Sequence, residues 1–135
     1  QDALAGHAAY DLVSLLEDAR RDTSAALREA MIARYLDRRG LSGAAAREFR
    51  AAYAALGAQR NLKIVGIFAR LAIRDGKPRY LALIPRVWGH LSRDLEHPAL
   101  APLARLVAAH VPAPDAAALA RAAATAERRA EAPAP

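Results

Sequence analysis

The sequence has no cysteine. Disulfides, thiol nucleophiles and cysteine-ligated zinc are therefore excluded. Threonine occurs twice, and valine and isoleucine together ten times, in 135 residues. No stretch alternates apolar and polar residues for long, which a half-buried strand requires, so no strand is predicted. Aromatic residues make up only 5% of the chain. Few of them stand among the basic residues, and there is no helix-turn-helix signature. Nucleic acid is therefore not the expected partner, although the pI is about 10.5. No run of 18 apolar residues is free of charge, and no basic-plus-apolar leader precedes a cleavage site. The expectation is a soluble, cytoplasmic protein without a membrane partner.

Ligand clusters and catalytic loops are also lacking. His7 and Asp11 are four apart, but Gly6 interrupts a helix there; His90 and His97 stand two turns apart, too far to share a metal. Ser14, Ser24, Ser42 and Ser92 lie in or at the start of predicted helices, with no nucleophile elbow. Gly40-Leu-Ser-Gly43 reads as a helix–helix connection and not as a phosphate loop.

Alanine, by contrast, is abundant: 37 residues, against 30 for leucine, isoleucine, valine and phenylalanine combined. Alanine is the best helix former and a poor core filler. The prediction is an all-α fold, five or six helices packed closely through small side chains. A helix is expected over about 8–20, with Leu12, Val13, Leu15, Leu16 and Ala19 on one face and Glu17-Asp18 on the solvated side. A second, over 25–39, follows the cap Asp22-Thr23-Ser24 and stops at Gly40. Ser42 is read as the cap of a third, over 43–56, with a break or kink at Gly57. Next comes a central helix over 58–74, apolar nearly all round. Pro85 and Pro98 start two more, with Trp88 and Leu91, then Leu100, Leu103, Leu106 and Val107, facing inward. Residues 1–111 are read as one helical unit, and 112–135 as an Ala/Pro-rich tail with a marginal helix and a disordered end.

The net charge of +6 sits in one place: residues 57–86 carry seven basic side chains against Asp75 alone, and elsewhere the signs balance. Arg60, Lys63, Arg70 and Arg74 form a basic stripe within an arc of about 80° on the central helix. Such a stripe is either the solvated edge of a buried helix or a face for an anionic ligand. Arginine outnumbers lysine 18 to 2, which with so much alanine reads as GC-rich coding bias.

The opening Gln1-Asp2-Ala3, Gly6 and Tyr10-Asp11-Leu12-Val13-Ser14-Leu15-Leu16, with "QRNLKIVGIFARLAIRDGKPRYL" at 59–81 and "PRVWGHL" at 85–91, resembles the aminoglycoside phosphotransferase-like kinases. The wording is most similar to a bacterial branch that phosphorylates N-acetylmuramate and N-acetylglucosamine. The resemblance covers about residues 1–107. It implies the C-terminal helical part of a kinase-like large lobe, beginning just after the family's magnesium-binding Asp. The parent activity it implies is ATP- and Mg²⁺-dependent phosphorylation of an amino sugar in cell-wall recycling, with nucleotide lobe, catalytic loop and metal Asp outside this chain. The chain alone is then expected to be inactive, to bind no cofactor, and to pair with the missing N-terminal part or with itself. A freestanding helical adaptor is the alternative.

The resemblance assigns Asp11 as the support of the catalytic loop. Gln1 and Asp2 fall beside the metal and sugar, Glu17 and Asp18 on the sugar side. Arg60, Asn61 and Lys63 become candidates for substrate contacts or for tying the central helix to the catalytic loop. The basic excess over 57–86 disfavours a polycationic aminoglycoside and favours a neutral or carboxylate-bearing sugar.

Overall fold

The computed structural model describes residues 5–131, so Gln1 and Asp2 and the segment 132–135 lie outside the described residues. Among those described, six α-helices and no strand occur: α1 (Ala9–Leu16), α2 (Ala25–Arg38), α3 (Gly43–Ile73), α4 (Ile84–Leu95), α5 (Ala101–His110) and α6 (Ala116–Glu131). Short 3₁₀ turns at Pro78–Leu83 and Pro98–Leu100 lead into α4 and α5. The all-α expectation is met, and no helix among the described residues is long and apolar enough to cross a membrane.

Local chemistry sets most of the helix ends. The Ser24 hydroxyl accepts the Leu27 amide at 3.1 Å and starts α2. Gly40, at φ +63°, ends it. There the Leu41 amide returns to the Leu36 carbonyl at 2.9 Å and the Gly40 amide to that of Asp37 at 2.9 Å, the paired closure that a left-handed glycine permits. Ser42 occupies the position before α3, yet its side chain caps nothing. α1 stops four residues earlier than its apolar pattern suggests. The Asp18 carboxylate accepts the Arg20 amide at 2.7 Å and turns the chain, and Glu17 is drawn inward.

The larger correction is at Gly57. There is no break: α3 runs for 31 residues, about 46 Å at 1.5 Å per residue. Gly57 serves a different need. A Cβ there would stand 2.6 Å from Asp94 Oδ2 and 2.7 Å from Asp94 Cγ. The missing side chain lets α4 press its carboxyl against the α3 backbone.

Around α3 the core divides in two. Its N-terminal half packs Phe49 and Tyr53 against Val13, Leu16, Ile32 and Leu36 of α1 and α2. Its C-terminal half packs Phe68 and Ala72 against Leu81, Ile84 and Val87, with Leu119, Ala122 and Ala123 of α6 laid over them. Ala126 is fully buried, so α6 is a packed element, started by the Asp115 carboxylate accepting the Ala118 amide at 2.6 Å. Leu106 is 57% exposed instead of inward. Trp88 is only half-buried and lines a groove between α4 and α5.

Candidate functional site

Between the two apolar clusters lies a band of polar side chains buried at the crossing of α1, α3 and α4. Glu17 and Asn61 are fully buried, and Asp94 is 5% exposed. The Asn61 amide nitrogen donates to Glu17 Oε2 at 2.7 Å and to Asp94 Oδ2 at 2.9 Å. One amide thus clamps two carboxyl groups that would otherwise face each other in low dielectric.

That environment changes the protonation of Asp94. Burial, then the neighbouring Glu17 carboxylate, push it up to about 8, although the Asn61 amide pulls the other way. At neutral pH Asp94 is held mainly as the acid, able to donate as well as accept. Tyr53, whose hydroxyl is buried without a partner, is pushed far above the ordinary phenol range by burial and by Glu17. His90 is pushed down to about 4 by burial and by the Arg93 guanidinium against it. Arg93 Nη2 meets His90 Nδ1, which assigns the proton of the neutral ring to Nε2.

The sequence-derived candidates divide on this geometry. Glu17 and Asn61 are brought together, but inside the molecule; Glu17 is not on a solvated face. Arg60 Nη1 donates to the Glu17 carbonyl at 3.2 Å, placing a cation at the C-terminal end of α1. Asp18 is half-buried and spent on its turn. Asp11 and Lys63 are exposed and take no part in the band. The basic stripe does not act as one unit: Arg60 turns inward, Arg74 pairs with Asp75 at 2.6 Å, and Lys63 and Arg70 face solvent.

Spacing does not single out Asp94, Tyr53, Arg93 or Arg28, and it brings up His90 only as a metal ligand too far from His97. A signal existed for Asp94: it shares an inward face with Val87, His90 and Leu91 on a helix of strong amphipathic pattern. A charged residue on an apolar stripe marks a buried partner elsewhere.

Next to the band, a cleft of about 290 Å³ opens between α2, α3 and the end of α4. Arg28, Arg50, Tyr53, Arg93 and Asp94 are among its walls. Arg50 is held by Glu29 at 2.8 Å. No group of three or more metal-ligating side chains gathers among the described residues.

Fold and site together define an all-helical unit, strung on one long helix and cross-tied by a buried acid–amide–acid clamp. Sequence comparison makes the kinship specific. The chain is 47% identical over 112 residues to an N-acetylmuramate/N-acetylglucosamine kinase of Caulobacter vibrioides, covering 83% of this chain and 30% of that protein. It is 41% identical over 112 residues to one of Neisseria meningitidis, covering 79% of this chain and 34% of that protein. Against one of Pseudomonas putida it is 38% identical over 113 residues, 80% of this chain and 33% of that protein. The resemblance to this kinase branch is therefore borne out, and the chain spans about a third of the length of the curated relatives it matches. No protein-family model matches the chain.

Proposed function

We propose that this chain is the C-terminal helical part of a cytoplasmic ATP-dependent sugar kinase acting on N-acetylmuramate or N-acetylglucosamine. The observation that carries this reading is the 38–47% identity to proteins so named, sustained over about four-fifths of the chain. The chain spans about a third of each relative, and in this reading ATP and Mg²⁺ belong to the part of such a kinase that it does not span, which would supply nucleotide, base and charge neutralisation. The contribution of this chain is a rigid support. Asn61 and its two carboxyl partners fix α1 against α3 and α4. Tyr10, 43% exposed, and Leu15, 61% exposed, flank the exposed Asp11 on α1. That outward face suits docking of a catalytic loop, with the Asp11 carboxylate accepting from its backbone amides.

The test is reconstitution. The purified chain, given ATP, Mg²⁺ and either sugar, is expected to transfer no phosphate. Fused behind the first two-thirds of the Caulobacter relative in place of that protein's own matching segment, it is expected to restore transfer. Asp11→Asn in the fusion should then lower kcat. Turnover by the chain alone, or a folded but inactive fusion, would refute the reading.

A further inference from the structure

Residues 57–86 carry seven cations and one acid, and four of the seven have a partner. Arg60 donates to the Glu17 carbonyl, and Arg74 pairs with Asp75. Arg86 pairs with Asp22 at 2.7 Å and donates to the Ala19 carbonyl at 2.9 Å. The Arg79 guanidinium lies 5.3 Å from the centre of the Tyr80 ring. Lys63, Arg70 and Lys77 remain, with no ion pair among the described residues. They follow one another at intervals of seven. Lys63 and Arg70 therefore share one face of α3, about 10 Å apart, and Lys77 comes just past the helix end.

Gly66 lies between these cations, exposed, and a Cβ there meets nothing within 4 Å. Glycine is unfavourable inside a helix, and Gly66, unlike Gly57, has no close neighbour that requires it. Leu62 and Ile73 border the same face. Both are half-buried, and neither joins the two apolar clusters among the described residues. Leu62, Gly66, Ala69 and Ile73 succeed one another at spacings of four, three and four, the repeat by which one helix packs along another.

We propose that this face of α3 docks an acidic helix belonging to the part of the kinase that this chain does not span. The proposal rests on the kinase reading: the chain spans about a third of each relative, and the remainder supplies the partner. Charge sets the chemistry of that partner. Carboxylates about two turns apart on its helix would meet Lys63 and Arg70 and neutralise the local excess. Leu62 and Ile73 would bury apolar side chains beside them, and the bare backbone at Gly66 lets the two helices come close. None of these face residues is aromatic, so the face offers no platform on which a nucleic-acid base could stack.

The experiment compares the chain alone with its fusion behind the first two-thirds of the Caulobacter relative. Lys63 and Lys77 are the only lysines, so acetylation followed by mass spectrometry reads Lys63 directly. Lys63 should react about fivefold or more slowly in the fusion, as a side chain covered by an interface does. Arg70→Glu and Gly66→Leu stand at solvent-exposed positions. Neither should lower the Tm of the chain alone by more than about 2 °C. In the fusion each should lower Tm by about 5 °C or more and return Lys63 to the reactivity it has in the chain alone. An active fusion in which Lys63 reacts as fast as in the chain alone, or in which either substitution changes nothing, removes this surface and leaves the kinase reading standing. A folded, inactive fusion removes both. Protection of Lys63 in the chain alone by duplex DNA or by phosphatidylserine vesicles at about 150 mM salt, with none in the fusion, would overturn the proposal in favour of a different partner.

Discussion

Replacing Gly57 with alanine gives opposite results under two views of the same residue. A glycine inside a helix is ordinarily a weak point, and alanine there gains about 1 kcal/mol. In this molecule the new methyl would lie 2.6–2.8 Å from the three carboxyl atoms of Asp94, where ordinary contact begins near 3.4 Å. α4 would have to move away, and the 2.9 Å bond from Asn61 to Asp94 would stretch or break. Overpacking of this kind costs about 1–3 kcal/mol, and weakening a buried hydrogen bond adds about 1 kcal/mol. After the helical gain is subtracted, a net loss of about 1–3 kcal/mol remains. For a chain of this length that lowers Tm by about 4–10 °C. Gly66 is the internal control: it lies on the same helix, is exposed, and a Cβ there meets nothing within 4 Å. Gly66→Ala should raise Tm by about 2–4 °C. In an Asp94→Ala background, Gly57→Ala should become stabilising too, because the obstructing group is gone. Thermal unfolding followed by circular dichroism on the four variants decides the matter. If Gly57→Ala raises Tm as Gly66→Ala does, the close approach of α3 and α4 is wrong.

Three further expectations come from the buried band and from α6. Asn61→Ala removes the amide that serves both Glu17 and Asp94 and should cost about 2–4 kcal/mol in urea unfolding; Asn61→Gln should recover little, since its longer side chain overfills a fully buried position. The pH dependence of stability should follow two opposed titrations. Asp94, raised by burial to about 8, contributes stability present at low pH and lost as pH rises from about 4 to 8. His90, lowered by burial to about 4, contributes stability present above about 6.5 and lost as pH falls toward 4. These two contributions offset each other between about pH 4 and 6.5 and leave a decline from about 6.5 to 8, which Asp94→Asn should abolish. Leu119→Ala, on a helix that packs over Phe68 and Leu81, should lower stability by about 1–2 kcal/mol; no change would mean α6 is not part of the fold.

Periodicity and caps carried the helices well because they are local. Ser24, Gly40 and Pro85 act on amides within a turn of themselves, and the apolar repeats of α1, α2 and α4 are visible without knowing what they touch. Gly57 reads as a break because its role is not local. Its partner, Asp94, is 37 positions away, and only the crossing of α3 and α4 makes a missing side chain necessary. Resemblance points to Glu17 as a residue on the sugar side and to Asn61 as a substrate contact or a tie to the catalytic loop. Nothing in their spacing reveals that they bond each other across 44 residues. The alanine-rich α6 reads as a tail because a stripe of small residues has little hydrophobicity to measure. Its burial depends on helices close enough for methyl groups to fill the gap, as fully buried Ala72 and Ala126 do.

A polar layer also constrains more than it stabilises. Replacing such a layer by apolar residues is often neutral or favourable, whereas removing one member strands the others. The Glu17–Asn61–Asp94 clamp permits one alignment: sliding α4 along α3 by a turn would bury Asp94 without its donor and drive it off the bare backbone at Gly57, and sliding α1 along α3 would strand Glu17 in the same way. Two apolar clusters flank it, and leucine and alanine faces can mesh in several registers. The clamp selects among them. If α1 presents Asp11 to a catalytic loop, as proposed, a unit that holds it in a fixed place has reason to keep three buried polar groups where three leucines would pack. Substituting all three by apolar residues of similar size should therefore retain or raise Tm while broadening the amide NMR signals of α1; sharp, unchanged α1 signals would show that packing alone sets the register.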